Sequence, residues 1–96
     1  MKTYLIAYDL LKPGQDYDDL YEAIKSFGTW AHPEQSIWLV NANLTAVQIR
    51  DYLRQFMDEN DKLFVFSVGP QWAGKGLKKS IYAWLKENWL PDVERV

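Results

Sequence analysis

The order in which strand-like and helix-like segments follow one another constrains the fold of this chain more than any single motif does. Residues 2–9 alternate weakly between polar and apolar types and are rich in Tyr, Leu and Ile, which predicts a central strand. Asp16 is then the expected N-cap of a helix, and Gly28 the expected left-handed residue after its end. The apolar residues between them recur at helical spacing and predict one buried stripe: Leu20, Ala23, Ile24 and Phe27.

A hairpin and a second helix are predicted next. Residues 29–32 and 36–40 have the composition of two short strands, and residues 33–34 are the expected turn between them. Thr45 and Gln48 have the spacing of a capping box, in which two side chains satisfy backbone N–H groups at the start of a helix.

The last predicted strand and helix complete an order of elements that is typical of a known fold. Residues 63–68 form a nearly continuous apolar run, as expected for an inner strand, and residues 77–89 predict a helix. The series is that of a ferredoxin-like βαββαβ sandwich, an α+β fold, here with an additional C-terminal helix. We expect one domain over residues 1–96, with its core at about residues 2–68. Right-handed crossovers place the first two helices on one sheet face, so the C-terminal helix or a second subunit is needed to cover the other.

Composition excludes several classes of protein. The 96 residues contain no cysteine, which excludes disulfides, thiol catalysis and cysteine–metal sites. The one histidine, His32, is expected at the surface beside Pro33. No run of about eighteen apolar residues predicts a membrane span, and the apolar part of the first strand is too short for a signal peptide. We therefore expect a cytoplasmic protein with no membrane partner.

Charge is distributed unevenly along the chain. Residues 1–70 carry six basic and ten acidic residues, a net charge of −4, whereas residues 71–90 carry four lysines and one glutamate, a net charge of +3. An anionic partner is expected to approach the second segment and to be repelled by the acidic residues of the first helix. The net charge of the whole chain, −2, is not that of a strongly basic nucleic-acid-binding domain.

Asp9 is the candidate with the most direct chemistry. It ends the first strand, and a strand-end carboxylate can ligate Mg²⁺ or another hard cation. The alternative is that Asp9 caps the loop that follows the strand. The sequence offers no obvious second ligand at close spacing, but a two-fold axis at the strand ends would bring two Asp9 side chains together. A metal site at Asp9 therefore requires a dimer.

A glycine-rich segment separates the last strand from the last helix. Gly69 to Lys75 has the spacing of a phosphate-binding P-loop, but Gly76 stands where that loop needs Ser or Thr for Mg²⁺, which argues against nucleotide hydrolysis. The remaining alternatives are a solvated lysine face or a nucleic-acid contact. In the second case Trp72 would stack on a base and lysines at the helix start would hold phosphate, namely Lys75, Lys78 and Lys79.

Three short segments resemble a known family. They are Tyr4-Leu5-Ile6-Ala7-Tyr8-Asp9, the helix that ends in Gly28, and Gln35-Ser36-Ile37-Trp38. They resemble the small CRISPR-associated ferredoxin-like proteins of spacer acquisition, whose relatives include VapD-type endoribonucleases, and more closely the bacterial proteins labelled SinR-like. The resemblance covers about residues 3–68.

The resemblance implies a homodimer whose two sheets face each other. It implies that Asp9 of each copy shares one Mg²⁺, that Tyr8 positions the substrate, and that Ser36 and Trp38 match the family's serine and aromatic residue. The implied substrate is RNA or duplex DNA, cut by metal-activated water.

The sequence departs from that family in two places, and two hypotheses follow. The family commonly carries arginines after the aspartate, where this chain is acidic, and a last strand that joins the partner's sheet, where residues 77–89 predict a helix. One hypothesis is a homodimeric nucleic-acid-associated protein with Mg²⁺-dependent endoribonuclease or endodeoxyribonuclease activity. The other is a non-enzymatic scaffold that binds another protein and keeps the fold without catalysis.

Overall fold

The computed structural model describes residues 1–11 and 17–92, which form four strands and three α-helices. The strands are β1 (Lys2–Asp9), β2 (Trp30–Glu34), β3 (Ile37–Ala42) and β4 (Lys62–Ser67). The helices are α1 (Asp18–Lys25), α2 (Ala46–Leu53), which a 3-10 turn at Arg54–Phe56 extends, and α3 (Lys79–Asn88). The predicted ferredoxin-like α+β fold with an additional C-terminal helix is confirmed. Among the described residues, no helix has the length and apolar character needed to cross a membrane.

The four strands form one antiparallel sheet in the order β2-β3-β1-β4. β1 is central and pairs with β3 on one side and β4 on the other, so that Ile6 lies between Trp38 and Val65. Side chains alternate between the sheet faces, and a central strand with a core on each face is therefore apolar at most positions. The charged residues of β1, Lys2 and Asp9, stand at its two ends.

A separate layer of helices lies on each face of the sheet. On one face, α1 and α2 pack against β1 in what we call the first core, where Ile6, Leu20 and Ile49 are fully buried. On the other face, α3 packs against the sheet in a second core, which confirms that the C-terminal helix covers part of that face. The principal residues of the second core are Leu5, Ala31, Leu39, Ile81, Trp84 and Leu85.

Of the two helix-end signals predicted at Thr45 and Gly28, one is confirmed and the other is wrong. The capping box is confirmed, because Thr45 Oγ1 accepts the Gln48 N–H at 3.1 Å and Gln48 Oε1 accepts the Thr45 N–H at 2.9 Å. The left-handed conformation predicted for Gly28 is wrong, because Gly76 alone among the described residues has a positive φ. Gly28 is needed for another reason: a Cβ there would lie 2.5 Å from the carbonyl oxygen of Asn41.

Two further boundaries concern α1 and the hairpin. Asp16, the expected N-cap, lies outside the described residues, and α1 begins with Asp18 and Asp19 in its first turn, where carboxylates interact favourably with the helix dipole. The hairpin turn predicted at residues 33–34 is wrong, because β2 continues to Glu34 through an irregularity in its pairing and the turn lies at Gln35-Ser36.

The prediction that residues 63–68 form an inner strand is wrong, because β4 is an edge strand. Its apolar run has two separate causes. Leu63 and Val65 pack against the first core, whereas alternation turns Phe64 and Phe66 to the opposite face. The second core includes no residue of β4 within the described ranges, and Phe64 and Phe66 remain 58% and 52% exposed.

Two buried polar side chains, Thr3 and Asn41, join the start of β1 to the end of α3. They are strand partners, and the Thr3 hydroxyl donates to Asn41 Oδ1 at 2.5 Å. Asn41 Nδ2 donates to the carbonyl of Asn88, the last residue of α3, at 2.8 Å, and Thr3 Oγ1 accepts the backbone N–H of Leu90 at 2.8 Å. Because buried polar groups are costly when unpaired, this polar anchor determines where α3 ends on the sheet.

Asn41→Ala is expected to lower the free energy of unfolding by about 1–3 kcal/mol, because the Thr3 hydroxyl and the Asn88 carbonyl lose a buried partner. Urea unfolding followed by circular dichroism measures the change. Asn43→Ala is the matched control, since Asn43 is exposed and its loss should change stability by less than about 0.5 kcal/mol. Equal losses in the two variants would contradict the role assigned to Asn41.

Candidate functional site

A cleft of about 370 Å³ opens at the end of β1. Its lining comes from the strand end, the hairpin turn and α1: Tyr8, Asp9, Leu10, Tyr21, Gln35 and Ser36. The turn is fixed to the strand by the Tyr8 N–H, which donates to the Ser36 carbonyl at 3.1 Å. Tyr8 and Gln35 are 27 residues apart in the sequence and belong to two of the segments that carry the family resemblance. The fold therefore brings these two segments together in one cleft.

The Tyr8 side chain forms part of the floor of this cleft and belongs to the first core. Its hydroxyl donates to the Gln35 carbonyl oxygen at 2.9 Å and accepts the Trp38 indole N–H at 3.0 Å. Burial raises the pKa of Tyr8 to about 12, although the hydrogen bond from Trp38 acts in the opposite direction. The hydroxyl is therefore neutral at physiological pH, and it holds the hairpin turn against the sheet.

Asp9 has the opposite orientation. Because Tyr8 points into the first core, alternation turns Asp9 to the face that α3 occupies further along the sheet, and Asp9 is exposed there. Its strand partner on β4 is Lys62. In residues 1–11 and 17–92, no group of three or more His, Asp or Glu residues is arranged to hold a metal ion. One chain thus offers a single strand-end carboxylate, and six-coordinate Mg²⁺ would need ligands from a second copy and from water.

The lysines predicted to bind phosphate lie on another part of the surface. Lys78 is the N-cap residue of α3 and Lys79 is its first residue, while Lys75 is exposed in the loop before them. Lys78 lines a second cleft, of about 340 Å³, between α3 and the edge strand β2. We call this the β2–α3 cleft.

The register of the sheet separates the two clefts. Ala31, which lines the β2–α3 cleft, pairs with Leu39, and Leu39 pairs with Leu5 on β1. Asp9 lies four residues further along β1, which is about 13 Å at 3.3 Å per residue. The structure therefore does not bring the lysines and Asp9 into one cleft.

The two tryptophans nearest the lysines differ in their surroundings. Trp72 is half-buried, packs against the second core, and has its ring centroid 6.5 Å from that of Tyr82. Trp30 is 39% exposed and lines the β2–α3 cleft together with the exposed His32. Sequence reasoning missed Trp30 and His32 as cleft residues, although their spacing of two along a strand, on either side of the buried Ala31, was an available signal.

Comparisons with known proteins support the fold. No family model matches the sequence. The structure is similar to the crystal structure of a hypothetical protein, TT1823, from Thermus thermophilus, with a TM-score of 0.59 and 23% sequence identity. The match covers 78% of this chain and 90% of that chain. At this identity the similarity establishes a shared fold.

Tyr8→Phe tests the structural role of the Tyr8 hydroxyl. Since folding raises the pKa of Tyr8 from 10.0 to about 12, the folded protein binds more protons than the unfolded chain between those values, and stability falls as pH rises through them. The variant lacks this contribution and should lose stability less steeply over that range. At pH 7 it should be less stable than wild type by about 1–2 kcal/mol, because the Gln35 carbonyl and the Trp38 indole lose a partner.

Urea unfolding at a series of pH values measures both effects of Tyr8→Phe. Tyr52→Phe is the control, since Tyr52 is 40% exposed. If the two variants share the same pH dependence, the burial and bonding of the Tyr8 hydroxyl do not control its titration.

Proposed function

We propose that the protein is a homodimeric nucleic-acid-associated protein, resembling the CRISPR-associated and VapD-type small nucleases, and that it cuts phosphodiester bonds with a divalent cation held between two copies of Asp9. The observation that carries this proposal is the position of Asp9 relative to an uncovered aromatic pair. Asp9, Phe64 and Phe66 lie on one sheet face, since β1 and β4 are paired in the register Leu5–Phe66, Ala7–Phe64 and Asp9–Lys62.

The aromatic pair has the properties of an interface. The rings of Phe64 and Phe66 are 5.8 Å apart between centroids and nearly parallel, at 8°. Both are more than half exposed, so together they form one exposed apolar patch. They also stand on an edge strand, whose outer backbone groups are open to pairing. An exposed apolar surface next to an open strand edge favours a protein partner.

A second copy of this chain is the partner that we propose. Residues 63–67 of the strand carry no charge, and with a two-fold axis one patch supplies both sides of the contact. Asp9 lies two residues along β1 from Ala7, the strand partner of Phe64, or about 7 Å. An axis near this end of β4 would therefore bring the two Asp9 carboxylates to the same edge of the dimer.

The residues around Asp9 suit a hard cation in such a dimer. Two carboxylates and water supply the oxygen ligands that Mg²⁺ takes, and the bound ion would activate water for attack on phosphorus. Asp9 would hold the ion. Tyr8 holds the Gln35-Ser36 turn in place through its bond to the Gln35 carbonyl, and Ser36 lines the cleft where the substrate would lie. The substrate phosphates further along would contact Lys75, Lys78 and Lys79.

A second candidate function is a non-enzymatic scaffold, and three observations favour it. One chain supplies one carboxylate to the cleft, and the Tyr8 hydroxyl is committed to two hydrogen bonds. None of the three lysines lines this cleft, and Lys78 lines a different one. In this case the Phe64–Phe66 face would still form the dimer, and the dimer would hold other molecules without cutting them.

Asp9→Asn is expected to abolish metal-dependent cleavage of labelled single-stranded RNA or duplex DNA while leaving the melting temperature unchanged, because Asp9 is exposed and its loss removes only the ligand. Cleavage in Mg²⁺ and in EDTA, by wild type and variant side by side, is the measurement. Asp19→Asn, which removes an exposed carboxylate from α1, is the control and should cut normally. Cleavage by Asp9→Asn at the wild-type rate would refute the metal site, and no cleavage by folded wild type would favour the scaffold.

Replacing Phe64 and Phe66 together by threonine, which keeps strand propensity, is expected to dissociate the dimer. About 1 kcal/mol for completing the burial of each ring, over four rings, corresponds to a dissociation constant roughly 100- to 1,000-fold weaker. Sedimentation equilibrium measures it. Val47→Thr is the control, because Val47 is 55% exposed on α2, away from this face. A double variant that stays as dimeric as wild type would place the interface elsewhere.

A further inference from the structure

A groove runs between α1 and α2, on the opposite side of the sheet from Asp9 and from the Phe64–Phe66 pair. Its two halves have volumes of about 360 and 270 Å³ and adjoin at Ser26 and Tyr52, which line both. The remaining lining is mainly apolar in the first half and acidic at the end of the second: Phe27, Leu44 and Gln48, then Asp19, Glu22, Ala23 and Phe56. We call this the α1–α2 groove, and the proposed metal site and dimer contact leave it open.

The groove exists because the α1 side chains at its middle are short. Ala23 is buried, and the Ser26 hydroxyl donates to the Ala23 carbonyl at 2.6 Å, so it lies against its own helix. Opposite them, Gln48, Tyr52 and Phe56 recur every four residues and therefore share one face of α2 and of the 3-10 turn that extends it. From Gln48 to Phe56 the groove is about 12 Å long at about 1.5 Å per residue, which is the length of about two turns of a bound helix.

Tyr52 is the central feature of the groove. Its ring meets those of Phe27 and Phe56 edge to face, at 5.7 and 5.4 Å between centroids and at 70° and 72° between planes. Tyr52 nevertheless remains 40% exposed, and Leu44, in the apolar half, is 39% exposed. Because the flanking rings already hold the Tyr52 ring, a partner that contacts it loses little affinity to its ordering. An aromatic residue held in this way is typical of the residues that dominate the affinity of protein–protein interfaces.

The charge of the groove determines what kind of partner fits it. Asp19 and Glu22 lie at one end, and within residues 1–11 and 17–92 no Lys or Arg lines either half. Lys25 Nζ is 4.0 Å from Glu22 Oε1, but the Glu22 side chain is 76% exposed, and such a surface pair contributes little. The acidic end therefore repels the phosphates of a nucleic acid or of an anionic membrane and attracts a Lys or Arg side chain.

We infer that the α1–α2 groove binds a basic amphipathic helix of another protein. Apolar side chains at positions i, i+4 and i+7 of such a helix extend over about 10 Å, which matches the groove, and they would lie against Leu44, Tyr52 and Phe56. A lysine or arginine at one end of the helix would lie beside Glu22. The inference goes beyond the proposed function, because it concerns another face of the molecule and holds whether the protein cuts nucleic acid or acts as a scaffold.

The test measures binding of synthetic helical peptides to the full chain by fluorescence anisotropy. The probe is a labelled peptide of about fourteen residues, with leucines at i, i+4 and i+7 on one face and lysines on the other. One comparison peptide has every lysine replaced by glutamate, and a second has the composition of the probe in scrambled order. The lysine peptide is expected to bind as one copy per chain, and the other two are expected to bind at least about 10-fold more weakly.

Tyr52→Ala is expected to weaken binding of the lysine peptide by about 30-fold or more, the loss typical of a central interface residue. Trp30→Ala is the matched control, because Trp30 is 39% exposed and does not line the groove. Leu44→Thr and Leu90→Thr form a second matched pair, since the two leucines are 39% and 38% exposed. Leu44 lines the groove, whereas Leu90 follows α3, so only Leu44→Thr should weaken binding.

Glu22→Lys keeps the inference testable if Tyr52→Ala is misfolded by circular dichroism. At low salt it should weaken binding of the lysine peptide and strengthen binding of the glutamate peptide, each by about 5-fold. Glu87→Lys, on α3, is its control and should change neither affinity.

Four results would each overturn the inference: equal binding of the lysine and scrambled peptides, losses as large in the control variants, no effect of the groove variants, or no binding at low salt. Binding of labelled RNA, or self-association, that Tyr52→Ala abolishes would assign the groove to another occupant and overturn it as well. Cleavage and the Phe64–Phe66 dimer are measured separately, so a protein that neither cuts nor dimerises but binds the lysine peptide retains this inference and loses the proposed function.

Discussion

The hydrogen bonds that join Thr3 and Asn41 to the end of α3 determine how the second face of the sheet is shared. The two side chains are buried beside each other, and their remaining hydrogen-bonding capacity is met by the Asn88 carbonyl and the Leu90 N–H. A helix that slid along the sheet would leave these groups buried without partners, at a cost of about 1–3 kcal/mol each. The anchor therefore keeps α3 over β2, β3 and part of β1, and the uncovered Phe64–Phe66 pair on β4 is its consequence.

The alternation of β1 places a buried side chain and an exposed one next to each other at the end of the strand. Tyr8 points into the first core and holds the Gln35-Ser36 turn, so its hydroxyl stabilises the wall of the cleft. Asp9, one residue later, points to the other face and to solvent. The backbone that carries the Asp9 carboxylate is therefore fixed by the core, which is what the metal-ligand role proposed for Asp9 would need.

Much of the fold could be predicted from local patterns, and the exceptions have identifiable physical causes. The bounds of β1 and the capping box at Thr45 are local properties, and both are as predicted. The position of β4 at the sheet edge is not a property of its local sequence. A strand has the same apolar run whether the rest of the chain covers both of its faces or leaves one face open. Gly28 shows the same limit of local patterns. Glycine is needed there because a Cβ would collide with the carbonyl oxygen of Asn41, which lies in β3.

The candidate site was less predictable than the fold. Asp9 and the Gln35-Ser36 turn line one cleft because β2 is longer than its composition suggests. The separation of Asp9 from the lysines depends on sheet register. Composition also treats all tryptophans as core mass, whereas their roles diverge: Trp38 is buried and Trp30 is on a cleft rim. Such differences arise from tertiary packing, which residue spacing does not record.

The polar anchor also has a consequence for synthesis of the protein. Its two hydrogen bonds that link Thr3 to Asn88 and to Leu90 join positions 85 and 87 residues apart. While the chain emerges from the ribosome, the four strands and the first core can assemble before α3 has been made, because none of their contacts requires it. During that interval the second sheet face, with Leu5 and Leu39 as well as Phe64 and Phe66, is open to other molecules, as in other partly folded chains. Only when α3 packs do Leu5 and Leu39 become covered.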